Sequence, residues 1–445
     1  MNKTKNLLEG NIWQALIRLS LPLAATAFIQ MTYNLVDMIW IGRIGTDAVA
    51  AVGICGIINW IATALTLIPR SGMGILSSQA YGKGDYKRTT DIFKNGYIIA
   101  VMVGLIYTAV ILIFKKFYIG FFGLNDQVSS LANDYLSILG VGIIFTFLNP
   151  VFSQTFNSLG DSTTPFKINA IGLFFNLFLD PLLIFGLGPL PAFGIKGAAF
   201  ATATSQFLVS LIFIYAMKKK DAIISQSLNN FKINKSIFEG IISLGVPASI
   251  ISSLHAIISI VLNKFMSAYG AEPVAAYSIG NQLESITWMT VDGIQVAISA
   301  LIAQNFGAGN IERVKDGKKV SLRLVTILGV TTFFILYAFR RSLIRAFVPN
   351  DQKTMILGVK YLEILAFSQP FVSLEIGSAG VFNGLSDTRT PAIVSTVLNL
   401  ARIPMSILLM PFMGVYGIWL AISLSSLGKG LVNFGLLQVK FKKVF

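Results

Sequence analysis

Histidine and cysteine are almost missing from this chain. His255 and Cys55 are the only examples of each in 445 residues. One thiol closes no disulfide within the chain, and one imidazole founds no histidine-rich metal site. A histidine-rich metal site and a cysteine-held metal centre are thereby excluded, and nothing in the chain resembles the Ser–His or paired-aspartate motifs of an intramembrane enzyme. Charge is also scarce. Only 12% of residues are charged, against about 25% in soluble proteins. Acidic residues are the rarer sign, with 20 Asp and Glu against 35 Lys and Arg, for a net charge of +15.

What fills the space is apolar. Hydrophobic residues make up 54% of the chain. Charge-free runs at 48–69, 97–114, 135–160, 197–217 and 403–428 reach or exceed the roughly 18 residues that span a bilayer as helix. Strands of a barrel would alternate over about ten residues instead. The expected fold class is an all-α polytopic membrane protein with twelve transmembrane helices in two pseudo-symmetric six-helix lobes. The first hydrophobic segment falls at 13–41, the tenth at 360–382 and the last at 415–437. The polar start 1–10 and the length of the first apolar segment predict no cleavable signal peptide.

The duplication is legible in the residues. Shifting the stretch 20–88 by 225 positions superposes it on itself without a gap. Leu19, Pro22 and Gly45 fall on Leu244, Pro247 and Gly270. Gln79, Gly82, Gly84 and Arg88 fall on Gln304, Gly307, Gly309 and Arg313. The segment from Asn157 through Asp161 and Thr164 to Pro165 parallels Asn383 through Asp387 and Thr390 to Pro391, and reads as a helix–helix corner. The Gly82 and Gly84 turn lacks the Lys-Ser/Thr of a phosphate loop and reads as a tight turn. The polar connection 218–237 separates an N-lobe, 1–217, from a C-lobe, 238–445. Six helices in each lobe make the repeat parallel.

Basic residues orient the set. Lys3, Lys5, Lys83, Lys87, Arg88, Lys94, the lysines at 218–235, Arg313, Lys315, Lys318, Lys319 and the tail Lys440, Lys442 and Lys443 fall on one side. The positive-inside rule makes that side cytoplasmic, with both termini inside. The arginines 340, 341 and 345 run against the rule. The basic balance thus marks a multi-pass protein of the cell (inner) membrane, in contact with the lipid bilayer and not with nucleic acid.

Charges inside apolar helices are costly and mark function by default, at about 3 kcal/mol or more each. The deep ones are Asp37, Asp180, Glu284, Asp292, Glu375 and Arg402. Asn176 and Asp180 are four apart and share a helix face. Pro181 biases Asp180 away from tight helix and frees a carbonyl one turn earlier. Thr202 adds a hydroxyl. Two facing carboxylates in low dielectric hold either a proton or a cation, and oxygen ligands suit a hard ion such as Na⁺. In the second half, Gln282, Glu284, Asp292 and Glu375 are candidates for substrate recognition or coupling. Their repeat partners are uncharged: Asn59 for Glu284, Leu67 for Asp292 and Asn149 for Glu375. Asp37 is matched by Leu262. Arg402 reads as the neutraliser of a second-half acid, and His255, matched by Gln30, as a hydrogen-bonded residue between helices.

At these residues the chain resembles the multidrug and toxic compound extrusion (MATE) transporters. The resemblance rests on Leu21-Pro22, Asn34 to Asp37 with Gly42 and Gly45, the run 49–53, Gln79 with Gly82 and Gly84, Asn176 to Pro181, and the repeat copies, and it covers nearly the whole chain. It implies two six-helix lobes about a V-shaped cleft and no enzymatic activity. It implies antiport of small-molecule organic cations and drugs against inward Na⁺ or H⁺, with no cofactor beyond that coupling ion. The family's coupling residues match Asp37, Asn176, Asp180 and Thr202, which become a metal site if the ion is Na⁺. Glu284 fits a C-lobe position that some members use, whereas Asp292 departs from the uncharged residue expected there. A monomer is expected. The rival reading is a flippase for a lipid-linked precursor in the same superfamily, which would favour several deep Arg or Lys residues.

Overall fold

The computed structural model describes residues 7–186, 191–349 and 351–444; Lys3 and Lys5, part of the basic side, lie outside them. The described residues form helices and connections with no strand. The first six long helices are α1 (Ile12–Gly42), α2 (Thr46–Gly82), α3 (Tyr86–Phe121), α4 (Asp126–Ser158), α5 (Thr163–Phe185) and α6 (Ile195–Lys218). A short α7 (Ala222–Ser225) and a 3-10 turn lead to α8 (Lys235–Ser267), α9 (Ala271–Gly307) and α10 (Ile311–Phe347). Helices α11 (Gln352–Ala366), α12 (Gln369–Gly384), α13 (Arg389–Met413) and α14 (Val415–Val444) complete the chain.

Eleven of these helices are each long and apolar enough to cross a membrane, and α11 with α12 supplies a twelfth crossing as a pair bent by 46°. The straight tenth span expected at 360–382 is therefore a broken one. Pro370, in the first turn of α12, has no N–H to give the carbonyl of Ala366. In the first turn of a new helix that missing donor costs no intrahelical bond. Helix α2 runs ten residues past the expected end at 72, because its last turns are small and buried. Ser77 and Ser78 are fully enclosed.

Among the described residues, those within 25–249 pack as one compact unit, and those within 7–24 and 250–444 pack as a second. Helices α1 and α8 thus divide between units, just beyond Pro22 and Pro247 respectively. The expected halves exchange the first parts of their leading helices. In the first unit α8 meets α2 backbone to backbone. A Cβ on Gly72 would lie 2.0 Å from the carbonyl oxygen of Ile241, and one on Gly245 would lie 2.0 Å from that of Ile68. Only glycine permits that approach, which is how helices associate where lipid removes the hydrophobic drive. In the second unit the start of α1 is held by its backbone. Arg313 donates to the carbonyls of Leu7, Glu9 and Gly10, and Asn305 donates to that of Leu7. Leu16, Leu19 and Leu23 then bury against Val291, Ile294 and Ile298 of α9.

The outer surface is apolar. Phe117, Phe121, Leu408 and Phe412 are each at least two-thirds exposed. Such a surface is stable only against lipid, and a bundle of helices satisfies its backbone internally there.

The two corners repeat in detail. Asp161 accepts from the Thr164 amide at 3.1 Å and from its hydroxyl at 2.7 Å. Asp387 accepts from Thr390 at 3.1 and 2.8 Å. Each aspartate also binds a lysine from the end of its lobe, Lys220 at 2.7 Å and Lys440 at 2.5 Å. Each lysine lies near the ring of an equivalent phenylalanine, Phe156 or Phe382, at 5.8 and 5.7 Å. Burial opposes ionisation at both aspartates, but the lysine and threonine hydrogen bonds outweigh it and hold both carboxyls below the ordinary value. A carboxyl with a depressed folded-state value stabilises fully above its unfolded value, near pH 4, and loses that contribution as pH falls through the folded value. Because the pairs are partly solvated, each contributes about 1 kcal/mol or less. Thermal unfolding in detergent is therefore expected to be insensitive to these pairs above about pH 5 and to weaken below pH 4. The double variant D161N/D387N removes that acid dependence while lowering stability at pH 7; an unchanged acid limb would rule out the clamps as its source.

Candidate functional site

Asp37, Asn176, Asp180 and Thr202 converge inside the first unit. Asp37 comes from the second half of α1, Asn176 and Asp180 from successive turns of α5, and Thr202 from α6. Asn176 and Asp180 are completely buried, and the Asn176 amide donates to Asp180 Oδ1 at 3.2 Å. The Thr202 hydroxyl donates to Asp37 Oδ2 at 3.3 Å. The carboxyl groups of Asp37 and Asp180 act on each other electrostatically. Three acceptor oxygens, Asp37 Oδ1, Asn176 Oδ1 and Asp180 Oδ2, are buried with no donor. Pro181 does not pull Asp180 out of the helix as its sequence position suggested. Helix α5 continues unbroken to Phe185, and the helical geometry is what aligns Asn176 with Asp180.

Two neighbours of this site were not singled out from sequence. Tyr33, one turn before Asp37, lies in the field of both carboxylates and beside Thr202 and Gln206. Gln206, one turn beyond Thr202, accepts from the Asn149 amide at 2.8 Å, and Asn149 in turn accepts from Ser210 at 2.6 Å. The i to i+4 spacing of Tyr33 with Asp37, and of Thr202 with Gln206, was the available signal.

The second unit gathers a different set. Glu284 on α9 accepts from Gln369 at 3.2 Å. Glu375 on α12 accepts from Ser395 at 2.7 Å and pairs with Lys429 of α14 at 3.0 Å. Lys429 is the residue that sequence reasoning missed. It lies among serines and glycines of α14, where a lysine reads as an interruption of an apolar run. Arg402, expected to neutralise a second-half acid, lies in the field of Glu284 and Glu375 and among the described residues forms no ion pair with either. Its Nε donates to Ser425 at 2.6 Å and a terminal nitrogen to Ser426 at 3.1 Å. Glu284 and Glu375 both act on it, but through space. His255 lies in the field of Arg402 and Lys429. Asp292 is half-buried further along α9, and Gln282 is exposed.

The fold and this distribution of buried polar groups define a polytopic, internally duplicated membrane protein with an oxygen-rich centre in one half. The chain belongs to the MatE family, whose sequence pattern matches residues 22–182 and 247–408, one match in each half of the duplication. It is 26% identical over 419 residues to the probable multidrug resistance protein NorM of Thermotoga maritima, covering 92% of this chain and 88% of that one. It is 24% identical over 443 residues to the FAD transporter of Shewanella oneidensis, covering 98% and 97%. Its fold superposes on a MOP superfamily transporter from Pyrococcus furiosus Vc1 with a TM-score of 0.90 at 20% identity, covering 99% and 98%. The protein is accordingly a multi-pass transporter of that family.

Lys429 and Glu375 are each less than one-tenth exposed, so removing one partner leaves a buried charge unpaired, at about 3–5 kcal/mol. Lys429→Met is expected to lower stability in detergent by that amount. The double variant K429M/E375M recovers most of the loss. Equal losses in both variants would show that packing around the lysine stem, and not its charge, is what matters.

Proposed function

We propose that this protein is a secondary active antiporter that exports organic cations and drugs in exchange for inward Na⁺ or H⁺. The observation that carries the reading is the cluster of three donorless buried oxygens around two carboxylates in the first unit. Two like charges facing each other in low dielectric require a proton between them or a cation among their oxygens. Aspartate, asparagine and threonine oxygens are hard donors, the chemistry of an alkali ion. Among the described residues no three His, Cys, Asp or Glu side chains cluster as a metal site, which favours Na⁺ over a transition metal if a metal is bound. The ion is here a transported substrate.

The residues divide the work. Asp37 on α1 and Asp180 on α5 carry the charge that the ion answers. Asn176 orients Asp180, and Thr202 holds Asp37 from α6. Binding draws α1 and α5 into one arrangement; release restores the repulsion and favours another. Alternating access of the two lobes then couples ion to cargo as a difference in affinity between two states, reciprocal by necessity. Glu284, with Gln282, Asp292 and Glu375, supplies the C-lobe acids that act on substrate or on a second coupling step. The relatives' names, a multidrug resistance protein and an FAD transporter, bring a small organic cargo to this reading. The protein works as a monomer in the cell membrane, with the sides bearing Lys83 and Lys220 and both termini in the cytoplasm.

Proteoliposomes loaded with rhodamine 123, a lipophilic monocation, test this directly under separate Na⁺ and pH gradients. One gradient is expected to drive efflux, and Asp37→Asn to reduce the driven rate at least tenfold with protein still inserted. Drive by Na⁺ alone makes the four residues an ion site; drive by pH alone makes the carboxylates proton carriers. Full driven efflux by D37N would remove the N-lobe from coupling. No movement under either gradient overturns the cation-antiport reading and brings the flippase forward.

A further inference from the structure

Two basic pairs sit where the orientation rule expects few charges, and they are repeat partners. The shift of 225 positions sets Lys94, Phe114, Lys115 and Lys116 on Lys319, Phe339, Arg340 and Arg341. The helices that carry them correspond as well: α3 begins at Tyr86 and α10 at Ile311, its repeat partner. Lys94 and Lys115 are 21 positions apart, as are Lys319 and Arg340. That is about 32 Å of helix, close to the roughly 30 Å hydrocarbon core of a bilayer. The first interval holds no charge and the second only Arg323. Each helix therefore has a base at either edge of the apolar layer, and its basic pair stands at headgroup depth at the far end. In both halves the first base of the pair is half-buried and the second exposed, and the preceding phenylalanine is more than half exposed.

These bases lack acidic partners. Among the described residues none of Lys115, Lys116, Arg340, Arg341 and Arg345 forms an ion pair with a carboxylate. Lys115 donates to the hydroxyl of Ser137 on α4. Arg340 donates to the carbonyl of Tyr337, one turn earlier, and its guanidinium lies 4.4 Å over that tyrosine's ring. Its Nε is buried with no acceptor. Phe333 stacks on Tyr337 at 5.7 Å, and Phe367, from the break between α11 and α12, closes on Phe333 at 5.3 Å and on Tyr337 at 5.9 Å. Phe367 is itself exposed. Bases at helix ends commonly reach for the interface, but on the far side of the membrane they oppose the orientation of the chain. This protein carries the pair there twice, and in the second half it backs the pair with an aromatic wall and an open guanidinium N–H.

We propose that the far ends of α3 and α10 are two binding sites for an anionic phospholipid, each in the leaflet opposite the one met by its own helix's basic start. At α10 the lipid phosphate supplies the acceptor that Arg340 Nε lacks, and the planar fork of the guanidinium takes two of its oxygens. Arg341 and Arg345, one turn apart, add charge. The wall of Phe333, Tyr337 and Phe367 packs against the glycerol and the upper acyl chain. At α3, Lys115 and Lys116 hold a headgroup as point charges beside Phe114, so this site is the weaker. A zwitterionic phospholipid brings its own ammonium to a cluster that already has unanswered positive charge, which favours lipids of net negative charge. The sites follow from the membrane class and the duplication, and they stand whether or not the antiport reading does.

Native mass spectrometry of the purified full-length protein counts bound lipid as phosphatidylglycerol is titrated in, with phosphatidylcholine as the zwitterionic control. Wild type is expected to hold two phosphatidylglycerol molecules, each at least fivefold more tightly than phosphatidylcholine. The double variant R340Q/R341Q is expected to weaken one of the two at least fivefold, and K115Q/K116Q to weaken the other about threefold. Phosphatidylcholine binding stays within twofold in both. Arg341→Gln and Lys116→Gln each replace an exposed side chain and leave the packed interior untouched; each weakens its own site about twofold and decides the matter if the double variants fold poorly. Equal binding of the two lipids by wild type overturns the proposal, as does wild-type phosphatidylglycerol binding in every variant. An equal loss of both lipids in the variants also overturns it, since the bases would then anchor the helix ends to any headgroup. An effect confined to the α10 variants overturns the α3 site.

Discussion

Two carboxyl groups buried against each other set the terms for the first half of this protein. Asp37 and Asp180 come from different helices, and among the described residues neither forms an ion pair with a lysine or arginine. In an apolar bundle, such a pair is unstable unless something positive joins it. Asn176 and Thr202 each satisfy one oxygen and leave the others open. A group that must be completed from outside differs from a packing feature. It makes the positions of α1 and α5 depend on what is bound, and this is the physical basis for assigning coupling to this lobe.

The second half solves the same problem internally. Glu375 is closed by Lys429 and Ser395, and Glu284 by Gln369 and the more distant Arg402. Carboxylates and bases are balanced within one unit. Duplication gave both halves one backbone, and divergence at a few inward positions left one with a pair of acids and the other with acids matched by bases. What stayed fixed is the mechanical part. The corner clamps of Asp161 with Lys220 and Asp387 with Lys440 match down to the phenylalanine beneath each lysine.

Proline and glycine positions show the same division. Pro22 and Pro247 are repeat partners, and each precedes the point at which its helix passes from one compact unit into the other. The glycines that admit α8 to α2 lie in the first unit only: Gly72 corresponds to Ala297, and Gly245 to Ser20. The second unit meets the start of α1 through Gly293 instead, where an added Cβ would lie 3.0 Å from the backbone of Leu23 and Ala24. Equivalent contacts are thus made with different residues.

The sequence alone determined the helical membrane class, the duplication and the first-half residues. Long uncharged runs have one stable form in lipid, a gapless self-match needs no coordinates, and a charge inside an apolar helix identifies itself by its cost. Asn176 and Asp180 could be paired because their spacing is local. The tertiary structure alone decided the rest. It broke the tenth span at Pro370, since a proline's effect depends on whether a new helix can start there. It gave Glu375 to Lys429 and not to Arg402, and Gln206 to Asn149. Those partners sit on helices far apart in the chain, and periodicity reports which face a residue occupies but not which face it meets.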